Sequence, residues 1–150
     1  MFQISMETDY ALRCMLLLAL KYNQIYGASS IAEERLIPRP FLTKILQKLA
    51  RAELVNSTRG SKGGFRLAKH PSKINVIEII EAMEGPIGMS RCAVDLKKCD
   101  FSHSCALCPV WVELRETVVE KLGRWNLESL LLSKGYSLSD SPNSSIIKQE

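Results

Sequence analysis

Ser30-Ile31-Ala32-Glu33-Glu34-Arg35-Leu36-Ile37-Pro38-Arg39-Pro40-Phe41-Leu42-Thr43-Lys44-Ile45-Leu46-Gln47-Lys48-Leu49-Ala50-Arg51 reads as two short helices joined by a tight turn. Ser30-Ile31-Ala32-Glu33 has the form of a capping box, in which the serine oxygen and the glutamate carboxylate satisfy reciprocal backbone donors at a helix start. A helix is therefore expected from Ser30 to about Leu36. Pro38-Arg39-Pro40 then breaks the chain, and Pro40 suits the first turn of a further helix, where its missing N–H costs nothing. That helix, expected to reach about Ala52, has two faces. Phe41, Leu42, Ile45, Leu46 and Leu49 are apolar, while Thr43, Lys44, Gln47, Lys48 and Arg51 form a polar, basic stripe. A tight turn followed by an amphipathic basic helix is the helix-turn-helix pattern, which lays its second helix in the major groove of DNA.

Working outward, Leu54 to Thr58 and Phe65 to Leu67 read as two short strands around the turn Arg59-Gly60-Ser61-Lys62-Gly63-Gly64. This is the form of a wing. Its glycines let backbone approach phosphate, and Arg59 and Lys62 stand at the tip to enter a minor groove or neutralise phosphates. Upstream, Tyr10, Ala11, Cys14, Leu17 and Leu18 recur at helical spacing within a first helix from about Ser5 to Tyr22. Downstream, Asn75-Val76-Ile77-Glu78 signals the start of a fourth helix that Gly85-Pro86 should stop. From Pro109 one long helix is expected, with Trp111, Leu114, Val118, Leu122, Trp125 and Leu132 along a coiled-coil-like seam suited to a homodimer.

The expected fold class is mainly α with a small β wing: a winged helix-turn-helix domain plus a long C-terminal dimerisation helix. The domains follow as 1–85 for the DNA-binding unit, 86–108 for a cysteine-rich irregular loop, 109–132 for the dimerisation helix, and 133–150 for a disordered tail rich in Ser, Gly, Pro and Asn.

Charge supports a phosphate-binding face. Between Ile31 and Lys69, nine cations (Arg35, Arg39, Lys44, Lys48, Arg51, Arg59, Lys62, Arg66, Lys69) meet three glutamates (Glu33, Glu34, Glu53), a local charge of +6 in a chain of +4. The 150 residues, 46% of them apolar, suit one domain of ordinary size or a small domain with an appended dimerisation element. The longest apolar run, Met15 to Leu20, falls far short of the roughly 18 residues a membrane-spanning helix needs. Glu7, Asp9 and Arg13 interrupt any signal-peptide pattern, so a cytoplasmic location is expected. In that compartment thiols stay reduced, which makes clustered cysteines metal ligands or redox sensors rather than a disulfide framework.

Four of the five cysteines cluster as Cys92-x6-Cys99-x5-Cys105-x2-Cys108, with Asp95, Asp100 and His103 among them. Thiolates are soft ligands, suited to iron–sulphur clusters, zinc or copper(I). A structural zinc site usually pairs two close-spaced knuckles, and only Cys105 and Cys108 make one here. The wide spacing favours a loop wrapped around an exposed iron–sulphur cluster over zinc, with a metal-free thiol or disulfide sensor as the remaining alternative. Cys14, on the apolar stripe of the first helix, reads as a core residue. A thiol oxidoreductase using Cys105 and Cys108 lacks the strand–helix alternation of a thioredoxin-like fold, so no enzyme and no small-molecule substrate are expected.

Thr8-Asp9-Tyr10-Ala11-Leu12-Arg13, the helix-turn-helix, the wing from Arg59 to Leu67 and the cysteine loop together resemble the IscR/NsrR family of bacterial winged-helix transcription regulators, over roughly residues 1 to 132. The resemblance implies homodimers on palindromic promoter DNA and a 2Fe-2S or 4Fe-4S cluster that senses cluster supply, nitric oxide or redox state. It also implies Cys92, Cys99 and Cys105 as cluster ligands. IscR-like proteins place a histidine where Cys108 stands here; NsrR-like proteins take a carboxylate from the partner's first helix, which would be Asp9. A fourth thiolate matches the softness of the other three and favours Cys108, while Asp9 and Glu7 also suit the dipole of a helix start. For DNA, the resemblance points to Arg39, Thr43, Lys44 and Gln47 as base readers, with Lys48 and Arg51 meeting phosphates. Pro40 and Phe65 depart from the polar residue and the tyrosine usual in relatives.

Overall fold

In the computed structural model, which describes residues 3–138, the chain runs α1 (Met6–Leu20), α2 (Ala28–Arg35), α3 (Arg39–Arg51), β1 (Val55–Thr58), β2 (Gly64–Leu67), α4 (Val76–Glu84), α5 (Arg91–Val94), α6 (Cys108–Gly123) and α7 (Leu127–Ser133). The mainly helical architecture with one two-stranded wing is the fold class expected from the sequence. Helix α1 forms the axle of the core. Ala11, Cys14, Met15, Leu17, Leu18 and Ala19 are all at most 1% exposed, and α2, α3, α4, α7 and β2 pack around them. Ser5 caps the helix by accepting the Thr8 N–H at 3.2 Å.

Helix α3 buries Leu42, Ile45, Leu46 and Leu49 and exposes Thr43, Lys44, Gln47 and Arg51. Phe41, expected on the packed face, is 41% exposed and meets Tyr10 edge-on. The wing is antiparallel, with Val55 opposite Leu67 and Thr58 opposite Gly64. The segment before α2 adds a bridge to it: Tyr26 and Phe65 exchange both backbone hydrogen bonds at 2.9 Å.

That bridge explains one departure from the sequence expectation. Helix α2 starts at Ala28 with Gly27 as its cap, so Ser30 lies inside the helix and its capping box does not form. Pairing of Tyr26 with the wing fixes where the chain enters the helix, and this tertiary constraint overrides the local signal. The box at Asn75 and Glu78, with no such competitor, forms as expected.

The long helix expected from Pro109 is two helices. Helix α6 ends at Gly123, and Asn126 exchanges hydrogen bonds with Ser129 to open α7. The backbone between them is stitched to the start of α4, by Val76 N–H to Trp125 O at 2.9 Å and Leu127 N–H to Ile74 O at 3.0 Å. Leu127 and Leu131 return to the core, so the expected seam loses its last turns to the protein's own interior. Of the expected tail, Ser133 closes α7. Gly135, at φ +77°, and Tyr136 complete a turn on Leu132 and Leu131, and Leu138 packs on the core. Residues 139–150 lie outside the described residues.

Gly64 is where the wing and the pre-α2 segment meet most closely: a Cβ there would stand 2.5 Å from the Tyr26 carbonyl oxygen. We expect Gly64→Ala to break the bridge and destabilise the protein by about 1–3 kcal/mol in denaturant unfolding. Gly123, where a Cβ would meet nothing closer than 3.9 Å, should accept alanine with a neutral to slightly stabilising effect. Equal effects at the two positions would contradict the bridge as a structural joint.

Candidate DNA-reading face and cysteine centre

The basic stripe survives folding as an exposed surface. Lys44, Gln47 and Arg51 project from α3, and Arg59, Gly60, Ser61 and Lys62 form the exposed wing tip. Gly60 adopts φ +112° to make that turn, which the Gly63 N–H to Gly60 O bond closes at 3.0 Å. Among the described residues, no carboxylate pairs with Lys44, Arg51, Arg59 or Lys62. Their charge is therefore available to phosphate. Arg39, at the start of α3, donates to the Ser29 hydroxyl of α2, tying the two helices across their turn. The Thr43 hydroxyl donates back to the Arg39 carbonyl at 3.1 Å. Lys48 differs from its neighbours: its ammonium donates to Glu7 at 3.1 Å and to the Met83 carbonyl at 3.3 Å, on α1 and α4.

The cysteine segment hangs between α4 and α6. It is less irregular than expected, holding α5 and a short 3-10 turn at Leu96–Lys98. Cys92 lies in α5 and Cys108 opens α6, and both are buried; Cys99 and Cys105 are half-buried. The Ser90 hydroxyl lies 3.1 Å from the Cys92 sulphur. Hydrogen bonding, from Ser90 first and from Cys108, holds the Cys92 thiol below its ordinary range despite burial. Cys108 is pushed the other way, by burial first, then by its bond to Cys92 and the negative charge of Cys92, Cys105 and Cys99. Cys108 thus stands within electrostatic reach of the other three sulphurs. Asp95 caps the 3-10 turn through the Lys97 N–H, and His103 is exposed.

A cavity of about 330 Å³ opens beside this segment, lined by Cys92 and Cys99 with Ser90, Arg91, Lys98, Asp100 and Phe101. Soft thiol donors with Arg91 and Lys98 at their rim suit an anionic iron–sulphur group in chemistry and in charge. In arrangement the site is open: among the described residues, no three His, Cys, Asp or Glu side chains converge as they would around a metal ion. Asp9, the other candidate ligand, pairs with Arg13 of its own helix at 2.6 Å. Cys14 is remote in role as well as in sequence. Burial pushes its thiol up to about 12, only partly countered by Arg35.

A basic reading helix, a wing and a thiol centre on one chain define a winged-helix transcription regulator, not an enzyme. The chain belongs to the Rrf2 family, whose model, described as iron-dependent transcriptional regulator, matches residues 4–132. It is 28% identical over 134 residues to the HTH-type transcriptional regulator NsrR of Shouchella clausii, covering 88% of this chain and 90% of that one. Among solved structures it resembles CymR (YrzC), the global cysteine regulator of B. subtilis, with TM-score 0.71 and 30% identity, over 89% of this chain and 98% of that one. It also resembles T. potens IscR, with TM-score 0.68 and 27% identity, over 89% of this chain and 88% of that one. No helix among the described residues is long and apolar enough to cross a membrane.

Two outcomes follow. Replacing Arg59 with alanine should weaken DNA binding; if Arg59 meets phosphate, the slope of log affinity against log salt flattens by about 0.9, and if it sits in the minor groove, A·T preference relaxes. Unchanged binding across a salt titration would remove Arg59 from the interface. At pH 8, a thiol with a pKa of about 12 is roughly one part in ten thousand thiolate. Iodoacetamide should therefore label metal-free native protein at Cys99 and Cys105 first and leave Cys14 unmodified, as peptide mapping would read. Early labelling of Cys14 would contradict its burial.

Proposed function

We propose that the protein is a homodimeric regulator that binds double-stranded promoter DNA in the cytoplasm under the control of an iron–sulphur cluster held by Cys92, Cys99, Cys105 and Cys108. The observation that carries this reading is the gathering of four soft thiols on the segment joining the DNA-reading unit to α6. Such a group supplies an inorganic centre, 2Fe-2S or 4Fe-4S, whose presence and oxidation state vary with redox conditions, nitric oxide or cluster supply. The chain's own residues do the rest. Cys92 and Cys108 supply a buried pair of donors, Cys99 and Cys105 supply two from half-exposed positions, and Arg91 and Lys98 offset the accumulated negative charge. Cys108 is the better fourth ligand because the Asp9 carboxylate is already engaged by Arg13.

On the DNA side, Arg39, Thr43, Lys44 and Gln47 at the start of α3 face the major groove, Arg51 meets phosphate, and Arg59, Gly60 and Lys62 bring the wing to the backbone. Helix α6 buries only Cys108 within its own chain. Val110 is 52% exposed and Leu114 36%, an apolar face that suits a second copy and the two-fold symmetry of a palindromic site.

One observation favours a second reading, a zinc-stapled or metal-free thiol-switch repressor: the free thiols of Cys92 and Cys108 lie close enough to shift each other's ionisation, while among the described residues no three ligand side chains converge. Metal content separates the readings. Protein purified without oxygen should be brown, with iron and sulphide in matching amounts, and Cys92→Ala should lose the colour. Colourless protein with stoichiometric zinc, or with no metal, would overturn the cluster and leave the staple or the thiol switch.

A further inference from the structure

Lys48 lies on the polar stripe of α3, yet its ammonium is turned toward the supports of that helix. Its two partners, Glu7 Oε2 at 3.1 Å and the Met83 carbonyl at 3.3 Å, come from the first turn of α1 and the last turn of α4. The carbonyls of a helix's last turn lack intrahelical donors and carry the negative end of its dipole. Lys48 satisfies one of them and places its charge against that end. The next residue, Glu84, is bound just as closely to α1. Its Oε1 accepts the Thr8 hydroxyl at 2.6 Å and the Ser5 N–H at 2.7 Å, and Thr8 is fully buried. These bonds, the Thr8 hydroxyl first, hold the Glu84 carboxyl below its usual range. The start of α1, the end of α4 and the reading helix therefore meet in one bonded joint.

The same joint leads directly to the cysteines. Gly85 turns the chain at φ +84°. Ile87 is held from both sides, its N–H by Glu81 at 3.4 Å and its carbonyl by Arg115 of α6 at 2.8 Å. Gly88 lies so close to α5 that a Cβ would stand 2.3 Å from Val94 Cγ2. Any shift of the helix carrying Cys92 thus presses on a connection whose other end is clamped to α3.

We propose that Lys48 is a positioning residue and not a phosphate ligand: it locks the reading helix to the end of α4, so that the pose of that helix follows the α4–α5 connection and the state of the cysteine centre. The link to the cysteine centre rests on the function proposed above; the locking role does not.

The test is a salt series of operator affinity, by fluorescence anisotropy, on full-length wild type and variants whose melting curves establish folding. Lys48→Met keeps the aliphatic stem and removes the charge. It should weaken binding on the order of fivefold with the wild-type slope, whereas loss of a phosphate contact flattens the slope by about 0.9. Arg51→Met, on the exposed part of the same stripe, supplies that flattened slope for comparison. Glu7→Gln should give the same loss as Lys48→Met, and the double variant no more than either single one. A flattened slope for Lys48→Met, or additive losses, would overturn the locking role. The ratio of affinities between cluster-loaded and cluster-free protein should shrink toward one in Lys48→Met. A ratio left at its wild-type value would overturn the link to the cysteines. If wild type itself shows no ratio, the proposed cluster control fails, while slope and additivity still decide what Lys48 does.

Discussion

Burial of α1 is the constraint on which everything else rests. A fully buried Leu or Met contributes on the order of 1.5–3 kcal/mol relative to exposure, and α1 supplies Met15, Leu17 and Leu18 at the centre of the core. The reading helix, the wing strand, α4 and α7 all take their positions from contact with it. A DNA reader needs its base-contacting side chains held in fixed register against a rigid duplex. Packing the two helices of the reader and the wing against one apolar rod provides that rigidity. It also explains why Cys14, on the inner face of the rod, is chemically quiet, while the other four thiols lie outside the core and two of them, Cys99 and Cys105, are only half-buried.

The two functional regions divide the chemistry cleanly. On one side lies a basic surface on which Lys44, Arg51, Arg59 and Lys62 have no acidic partners among the described residues, the arrangement that counterion release rewards. On the other lies a compact thiol segment with its own cations at the cavity rim. Between them is neither a hinge nor a long linker but the few residues from Met83 to Gly88, bonded to α1, α3 and α6. An event at the cysteines can alter DNA affinity only by a difference in interaction free energy between two arrangements of this connection. Its dense bonding makes small displacements costly and therefore transmissible.

The elements legible in the sequence are those whose signals are local. The Asn75–Glu78 box, the amphipathic period of α3 and the glycines of the wing each specify their structure within a few residues. What escaped was set by partners far along the chain. Ser30 carries a valid capping signal, but the bridge between Tyr26 and Phe65 sets the helix start. The break after Gly123 hid behind an apolar spacing that continues through Trp125 and Leu132, although Asn126 and Ser129 did carry a capping signal. Lys48 is indistinguishable from Lys44 and Arg51 on a helical projection, and only the folded chain brings Glu7 and Met83 to it. For the cysteine centre, the sequence supplied the donors and their softness. It did not distinguish the buried pair, Cys92 and Cys108, from the half-exposed Cys99 and Cys105, because that distinction arises from α5 packing on the start of α6.

Control by the cysteine segment, as proposed, requires that the operator be bound differently in two states of the thiol centre. The direct measurement is operator affinity of cluster-loaded and cluster-free protein, side by side, at one salt concentration and with the dimer intact in both. Control through the cysteine segment requires a difference of about tenfold, within the usual range of coupling between two sites. Equal affinities in the two states, for every operator tried, would contradict it.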